Sequence, residues 1–275
     1  MVLDLNPGVA SPSSFDSRNA RVDHTHHQKP QGRSILQLTY KSELFEALAE
    51  LSGITEVFRI CKTNDGLEIK AGDSAESIVY HLIAPKEYLE IPDDIAFNNF
   101  TQFYNKFSLF EKPDLEIDDR QSCLSFRSGS RVATHNLAIL DHIKPRFNVI
   151  DFPSIDAQFN LSAQQLKQMR SLSGQNYFDS DRIELKFGSQ ESKFILCSTK
   201  HEDKMEDDLN VDMFDSESDF SFKIDIKAIQ SLPSEDYRVT VCKRGIVRFD
   251  MIRTGDIKVI LYTAKLKEKQ KKESK

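Results

Sequence analysis

Cations and amides spaced along amphipathic segments are the residues best placed to do chemistry in this chain. That chemistry is charge contact with phosphate. In the segment Ala163–Ser173 the polar positions are Gln164, Gln165, Lys167, Gln168 and Arg170. In Phe100–Phe110 they are Gln102, Asn105 and Lys106, and Lys227 opens a further helical segment. Lys and Arg on an exposed helix face exchange counterions with a nucleic-acid backbone without reading its bases. An ordinary solvated helix face carries the same residues, and the sequence alone leaves these two readings level.

Other chemistries find less support. There is no G-x-S-x-G, P-loop, H-E-x-x-H or glycine-rich dinucleotide turn. The acid pairs Asp93-Asp94, Asp118-Asp119 and Asp207-Asp208 fall in loops or at strand ends, where they read more simply as solvated surface than as a metal site. His24, His26 and His27 lie in a polar segment without periodicity, and a flexible His-rich arm holds no fixed ligand geometry. Cys61, Cys123, Cys197 and Cys242 are far apart, in or beside apolar runs, and form no CxxC pair, so they read as reduced core or strand residues. No catalytic residue, metal ligand or cofactor is expected. A hydrolase using the acid pairs or the His-rich arm remains the least supported alternative.

The elements that must position the cations follow from periodicity. At 275 residues, with 29% charged and 39% apolar residues, the chain suits two soluble domains of ordinary size. No run approaches the roughly 18 apolar residues of a membrane span, and the first residues lack an apolar signal core, so neither a membrane nor secretion is expected. The net charge of −6 argues against coating nucleic acid with the whole surface, but permits contact through one basic face. Residues 1–33 read as a disordered arm, and 267–275 as a basic tail. Between them the chain repeats itself. L-x-Y at Leu38–Tyr40, then Phe45, Leu48, Leu51 and Ser52-Gly53, matches F-x-L at Phe159–Leu161, then Leu166, Met169, Leu172 and Ser173-Gly174, at a constant offset.

Each copy is a strand leading into an amphipathic helix that stops at glycine. In the first copy, strand Ile35–Tyr40 and helix Ser42–Ser52 precede strands Val57–Lys62, Leu67–Ala71 and Ile78–Ala84, with a hairpin signal at Asn64-Asp65-Gly66. Strands Tyr88–Ile91 and Ile95–Phe97 lead to helix Phe100–Phe110, whose phenylalanine stripe reads as core, and strands Leu115–Asp118, Cys123–Arg127 and Val132–Asn136 close the copy. The second copy has strand Gln158–Leu161, helix Ala163–Ser173, strands Ile183–Phe187 and Phe194–Thr199, an acidic loop at Glu202–Asp219, strand Phe220–Ile224, helix Lys227–Leu232 and strands Tyr237–Lys243, Ile246–Ile252 and Lys258–Tyr262. The expected boundaries are 34–140 for the first domain, 141–153 for an extended connector and 154–266 for the second domain. The fold class is α+β, with antiparallel sheets carrying two helices per domain on one face.

This order of elements, over roughly Ser34 to Leu266, resembles the sliding-clamp family of DNA polymerase processivity factors. Its two-domain members are the T4-type phage clamps and the proliferating-cell nuclear antigen of eukaryotes and archaea. The segment Lys70–Tyr80 (KAGDSAESIVY) is similar to the family's hairpin beside its partner pocket, and Val259–Ala264 (VILYTA) to its last strand. Ser231–Val241 (SLPSEDYRVTV) resembles the approach of T4-type clamps to the final hairpin.

The resemblance implies a homotrimeric ring of six domains, closed head-to-tail by edge strands and lined by helices that touch duplex DNA without sequence preference. Lys106, Lys167, Arg170 and Lys227 would carry that contact. A DNA polymerase and a clamp loader are the implied partners. Their peptides would dock in a pocket formed by Ser74, Ile78, Ile143, Phe147, Ile150, Tyr262 and Ala264, where the connector also carries Val149 and Phe152. The location implied is intracellular, in the cytoplasm or nucleoid, or the host cytoplasm if the protein is viral. One helix departs from the pattern, because Ser42–Ser52 exposes Glu43, Glu46 and Glu50 with only Lys41 positive. Either the other helices hold DNA or the channel is weakly charged. The alternative is a clamp-fold adaptor in transcription or repair that binds proteins without encircling DNA.

Overall fold

Apolar residues at i, i+1, i+4 and i+7 give Ser42–Leu51 a single buried face. That segment is helix α1, with Leu44, Phe45, Leu48 and Leu51 all inside. It ends where the backbone N–H and Oγ of Ser52 both donate to the Ala49 carbonyl. In the computed structural model the residues described are 35–75, 78–118, 120, 122–143, 152–173, 182–188, 192–197, 204–208, 211–213, 219–253 and 255–266. The predicted arm, the basic tail and most of the connector, with Val149, fall outside them.

The first half runs β1 (Ile35–Leu38), α1, β2 (Phe58–Lys62), β3 (Leu67–Gly72), β4 (Ile78–Ala84), β5 (Ile95–Phe97), α2 (Phe100–Phe107), β6 (Asp114–Asp118), β7 (Cys123–Ser128) and β8 (Arg131–Asn136). The second runs β9 (Ala157–Leu161), α3 (Ala163–Ser173), β10 (Arg182–Phe187), β11 (Lys193–Cys197), β12 (Lys204–Asp208), β13 (Val211–Met213), β14 (Phe220–Asp225), α4 (Ile226–Ser231), β15 (Asp236–Cys242), β16 (Ile246–Ile252) and β17 (Lys258–Ala264). Strand β1 joins β6, β7 and β8 in that order, and β12 joins β11, β10 and β14. A nine-stranded sheet, β13-β9-β15-β16-β17-β4-β3-β2-β5, crosses from one half to the other through an antiparallel β17–β4 ladder from Lys258↔Ile83 to Thr263↔Ile78. All the pairings are antiparallel, so each strand can bury one face and expose the other.

The buried strand faces and the apolar helix faces meet in one core. In the first half that core is aromatic. Phe103 of α2 packs against Phe45, Phe97, Phe100, Phe107 and Phe126 with ring centroids 5.1–5.7 Å apart, mostly edge-to-face or tilted. Helix α2 starts where the Asn99 side chain accepts the Gln102 N–H, a side-chain cap at 3.0 Å. In the second half the helices bury aliphatic residues instead, chiefly Leu166, Met169, Ile226 and Ile229.

The entry to the second half is pinned by a buried carboxylate. Asp156, 4% exposed, accepts from Ser154 Oγ at 2.7 Å and from the Lys243 N–H at 2.8 Å, which fastens the chain to the β15–β16 hairpin. Burial pushes this carboxyl up. The Lys243 and Ser154 hydrogen bonds, with the Lys243 charge, outweigh it and hold the group below its usual range.

Three sequence expectations need correction. The acidic stretch Glu202–Asp219 is not simply a loop, because it contains β12 and β13. Among the described residues, strand β12 lies at a sheet edge and pairs only with β11, and its sequence, KMEDD, lacks the apolar alternation that marks a half-buried strand. Tyr88–Ile91 is not a strand either. A 3-10 turn covers Lys86–Tyr88, and only Leu89 bridges Tyr40. Helix α2 stops at Phe107, short of Phe110, whose ring then packs on Phe126 at 5.5 Å.

Since Phe103 joins α2 to β5 and β7, Phe103→Ala is expected to destabilise the protein by about 3–5 kcal/mol. Urea denaturation measures this, and a loss below about 1 kcal/mol would show that the aromatic cluster does not hold the first half together.

Candidate nucleic-acid and partner surfaces

Among the described residues four α-helices form two pairs, α1 with α2 and α3 with α4. A seam links the pairs. Glu50, near the end of α1, accepts from Arg253 Nη1 at 2.9 Å, just beyond β16. Glu50 also lies within the field of Glu235, in the turn after α4, although burial is the main cause that raises its carboxyl above the ordinary range. Arg170 of α3 crosses onto α4, donating from Nε to the Ile229 carbonyl at 3.1 Å and from Nη1 to Ser234 Oγ at 2.8 Å.

The four predicted cations therefore divide into two kinds. Lys167 on α3 and Lys227 at the start of α4 are exposed. The Lys227 backbone N–H donates to Asp225 Oδ1, which caps the helix and leaves the side chain outside that bond. Arg170 is half-buried, and its guanidinium fastens α3 to α4. Lys106 donates from Nζ to the Thr134 carbonyl at 3.0 Å, tying α2 to β8. Among the four, Lys167 and Lys227 thus have the freest reach into solvent, while Lys106 and Arg170 also serve the packing.

Strand β8 closes one side of its sheet, as β12 does in the second half. Beneath β8 lies a group that sequence reading passed over. His135 is 3% exposed and stacks on Phe97 at 5.9 Å, with Phe103 edge-on at 5.5 Å. Among the described residues neither ring nitrogen has a hydrogen-bond partner. Burial, with the nearby Lys106 charge, lowers its pKa, so the imidazole is held neutral. Its alternating position in an edge strand gave no signal beyond that of an ordinary inward-facing residue.

The predicted partner-pocket residues are only partly brought together. Phe147 and Ile150 lie outside the described residues. Tyr262 of β17 stands opposite Val79 of β4, and Thr263 opposite Ile78. Ile78 is corrected: it is 1% exposed and belongs to the core, so Val79, next in the strand, shares the other face with Tyr262. Tyr262 is outside the core cluster, and burial raises its phenol above the ordinary range. Ser74 and Ala264 are exposed near this face. Ile143 lies beside a cavity of about 70 Å³ lined also by Val57, Phe58, Arg59, Lys70, Ala71 and His142. Nearby, Glu68 accepts from Lys70 at 2.8 Å and is 2.7 Å from His81 Nε2, a polar border to the apolar Val79, Ile260 and Tyr262.

A larger cavity of about 300 Å³ lies between the ends of β10, β11 and β14, lined by residues such as Lys186, Phe187 and Phe220. It includes none of the predicted site residues. Among the described residues no group of three or more His, Cys, Asp or Glu has the arrangement of a metal site, and no helix is long and apolar enough to cross a membrane.

This architecture is that of known sliding clamps. The chain is similar to the proliferating cellular nuclear antigen of Entamoeba histolytica, with 12% identity, a TM-score of 0.65, and coverage of 85% of this chain and 98% of that one. It is similar to the A. fulgidus PCNA solved with the C-terminal region of FEN-1 bound, at 15% identity, TM-score 0.65, and coverage of 86% and 100%. The PCNA2–PCNA3 complex of Sulfolobus tokodaii matches at 9% identity, TM-score 0.60, and coverage of 84% and 99%. No protein-family model matches, and no curated relative was found. The fold is that of a sliding clamp.

The buried imidazole makes stability depend on pH. Its native pKa is lowered, so between that value and the ordinary range of roughly 6.5 the unfolded chain binds more protons. Stability from this site is therefore complete above that range and is lost as pH falls through it. His135→Leu is expected to unfold with a smaller loss of stability between about pH 8 and pH 5.5 than the unsubstituted protein. Equal losses in urea titrations would place the acid sensitivity elsewhere.

Proposed function

We propose that this chain is a DNA sliding clamp: a homotrimeric ring that threads duplex DNA and tethers a DNA polymerase for processive synthesis. The carrying observation is that two halves of like element order share one continuous sheet and bear their helices on its core side, with β8 and β12 as outer strands. An outer strand in each half suits head-to-tail contact between copies, which closes into a ring when the rotation permits. Two clamp units per chain and six per ring require three chains. The assembly of PCNA2 with PCNA3 in the Sulfolobus tokodaii structure supports association through this fold.

Lys167 and Lys227 are the main proposed phosphate contacts, with Lys106 and Arg170 contributing from their tethered positions. The contacts are non-specific, since they rest on charge alone. On the opposite sheet face, Tyr262, Val79 and the connector, with Phe147 and Ile150, form the proposed docking surface for a polymerase or clamp-loader peptide. The FEN-1 peptide bound to A. fulgidus PCNA supports a peptide-binding role. The domain boundaries, with a leading arm and a basic tail, and an intracellular site of action belong to this reading. It assigns the chain no catalysis of its own. A clamp-fold adaptor that does not encircle DNA is the second reading, favoured by the acidic surface of α1 and the internal engagement of Lys106 and Arg170.

Light scattering is expected to give three times the 31.5 kDa chain mass. A monomer at micromolar concentration, with and without DNA, would sink the ring. Lys167→Glu with Lys227→Glu should weaken retention on DNA and flatten its salt dependence by about 0.9 for each phosphate no longer engaged. Tyr262→Ala should remove polymerase stimulation while leaving the oligomer intact. Full stimulation by that variant would move the docking surface elsewhere.

A further inference from the structure

Strand β8 enters the core through one side chain of its own. Arg131, Val132, Thr134 and Asn136 are exposed, and Ala133 is small and half-buried, which leaves His135 as the strand's one buried residue. The His135 ring stands against Phe97 of β5 and Phe103 of α2, and its backbone is opposite Leu124 of β7. Both ring nitrogens are buried without a hydrogen-bond partner among the described residues. The neutral ring therefore packs as an aromatic body, whereas a second ring proton would place a charge among apolar groups with nothing to accept it.

The surrounding elements do not relieve that charge. Among the described residues, Lys106 of α2 is the one charged group in its field, and it is of like sign. The Lys106 ammonium donates to the Thr134 carbonyl, one residue before His135. Strand β5 presents Phe97 and β7 presents Leu124, neither of which titrates. Little else restrains the strand. Among the described residues it pairs only with β7, and it ends its sheet. Gly129, at a φ of 59°, turns the chain into β8. Just beyond the strand, the Leu137 and Ala138 N–H groups donate to the Ser122 and Ala96 carbonyls. A local opening is thus bracketed to Arg131–Asn136.

We propose that β8 is an acid-released strand: protonated His135 leaves Phe97 and Phe103 for water and takes Arg131–Asn136 off β7. In the clamp reading above, on which this second step rests, β8 is a joint between copies, so the same proton opens the ring there. The direction follows from linkage. The packed imidazole titrates below its ordinary range and the released one within it, so release takes up a proton and is favoured as pH falls.

Hydrogen exchange read by mass spectrometry on the full chain, corrected for the intrinsic pH dependence of exchange, measures the release. Between about pH 7.5 and pH 5.5 the protection of Arg131–Asn136 is expected to fall several-fold, while β15 and β16 keep theirs. The ceiling is about tenfold, set by a released imidazole that titrates near roughly 6.5. His135→Leu and His135→Gln have no ring proton to take up, and both should make the protection of β8 independent of pH. Unchanged protection in the unsubstituted protein overturns the proposal without any variant, and so does an equal fall in both variants. Light scattering at the same two pH values tests the joint. Three chains at the higher pH and fewer at the lower are expected, with both variants remaining trimeric. A trimer that persists while β8 loses protection overturns the opening of the ring and upholds the strand release. A monomer at both pH values defeats the clamp reading, and the exchange data then decide the strand release by themselves.

Discussion

The β4–β17 ladder is the constraint on which the rest of the architecture depends. A strand edge exposes unpaired N–H and C=O groups, and each half of this chain would present such an edge if it stood alone. Pairing Lys258–Thr263 with Ile78–Ile83 turns two edges into the interior of one sheet. It also sets the register, because a slip of one residue would exchange Leu261 and Val259, which belong to the core cluster, for Tyr262 and Ile260, which do not. The other edges are handled differently. Leu266 donates to the Lys223 carbonyl on β14, and Ala138 to the Ala96 carbonyl on β5, whereas β8 and β12 end their sheets. Strands β1 and β13 end their sheets as well, so the capacity for further strand contact lies only at sheet ends and not at the junction of the halves.

The same economy explains why the two halves differ inside while agreeing in outline. Phe103 and its ring neighbours make the helices of the first half aromatic inside, whereas Leu166, Met169 and Ile229 make those of the second aliphatic, with Phe159, Phe187 and Phe249 coming from its strands. A fold of this kind constrains where apolar residues stand and leaves open which ones they are, since volume and pattern can be satisfied in more than one way. The first half has polar fastenings, Lys106 to β8 and Arg59 to Asp94, and the second half has its own. Arg170 bonding the end of α4, and Asp156 gathering Ser154 and Lys243, supply them.

Much of this was legible because it depends on period. The duplication, α1, α3 and the paired strands flanking the Asn64-Asp65-Gly66 turn follow from alternation, helical spacing and one turn residue, and Gly66 adopts the positive φ that its turn demands. What escaped was information that pattern does not hold. Strand β12 is stabilised by one neighbour and looks like an acidic loop. His135 looks like any inward strand residue until Phe97 and Phe103 close over it. The site residues were legible as types rather than as partners: Lys106 and Arg170 read as solvent-facing cations, but their ends reach the backbone of β8 and α4. Ile78 read as a pocket residue, but strand parity puts it in the core and leaves Val79 on the other face, opposite Tyr262.

That parity error also shows what kind of selectivity the outer face can have. Along β17, Val259 and Leu261 belong to the core and cannot change without unpacking it, while Ile260 is half-buried and Tyr262, 8% exposed, lies outside that core cluster. Glu68, Lys70 and His81 border them with fixed charge and hydrogen-bonding groups. An apolar strip beside a polar border accepts a short segment that offers aromatic or aliphatic anchors on one side and polar groups on the other. The helical surface has the opposite character. It exposes the cations Lys167 and Lys227, and α1 presents acids. In the proposed clamp, one face of the sheet discriminates among partners while the helical side meets a polymer without discriminating, and the alternation of a β-strand allows a single chain to do both.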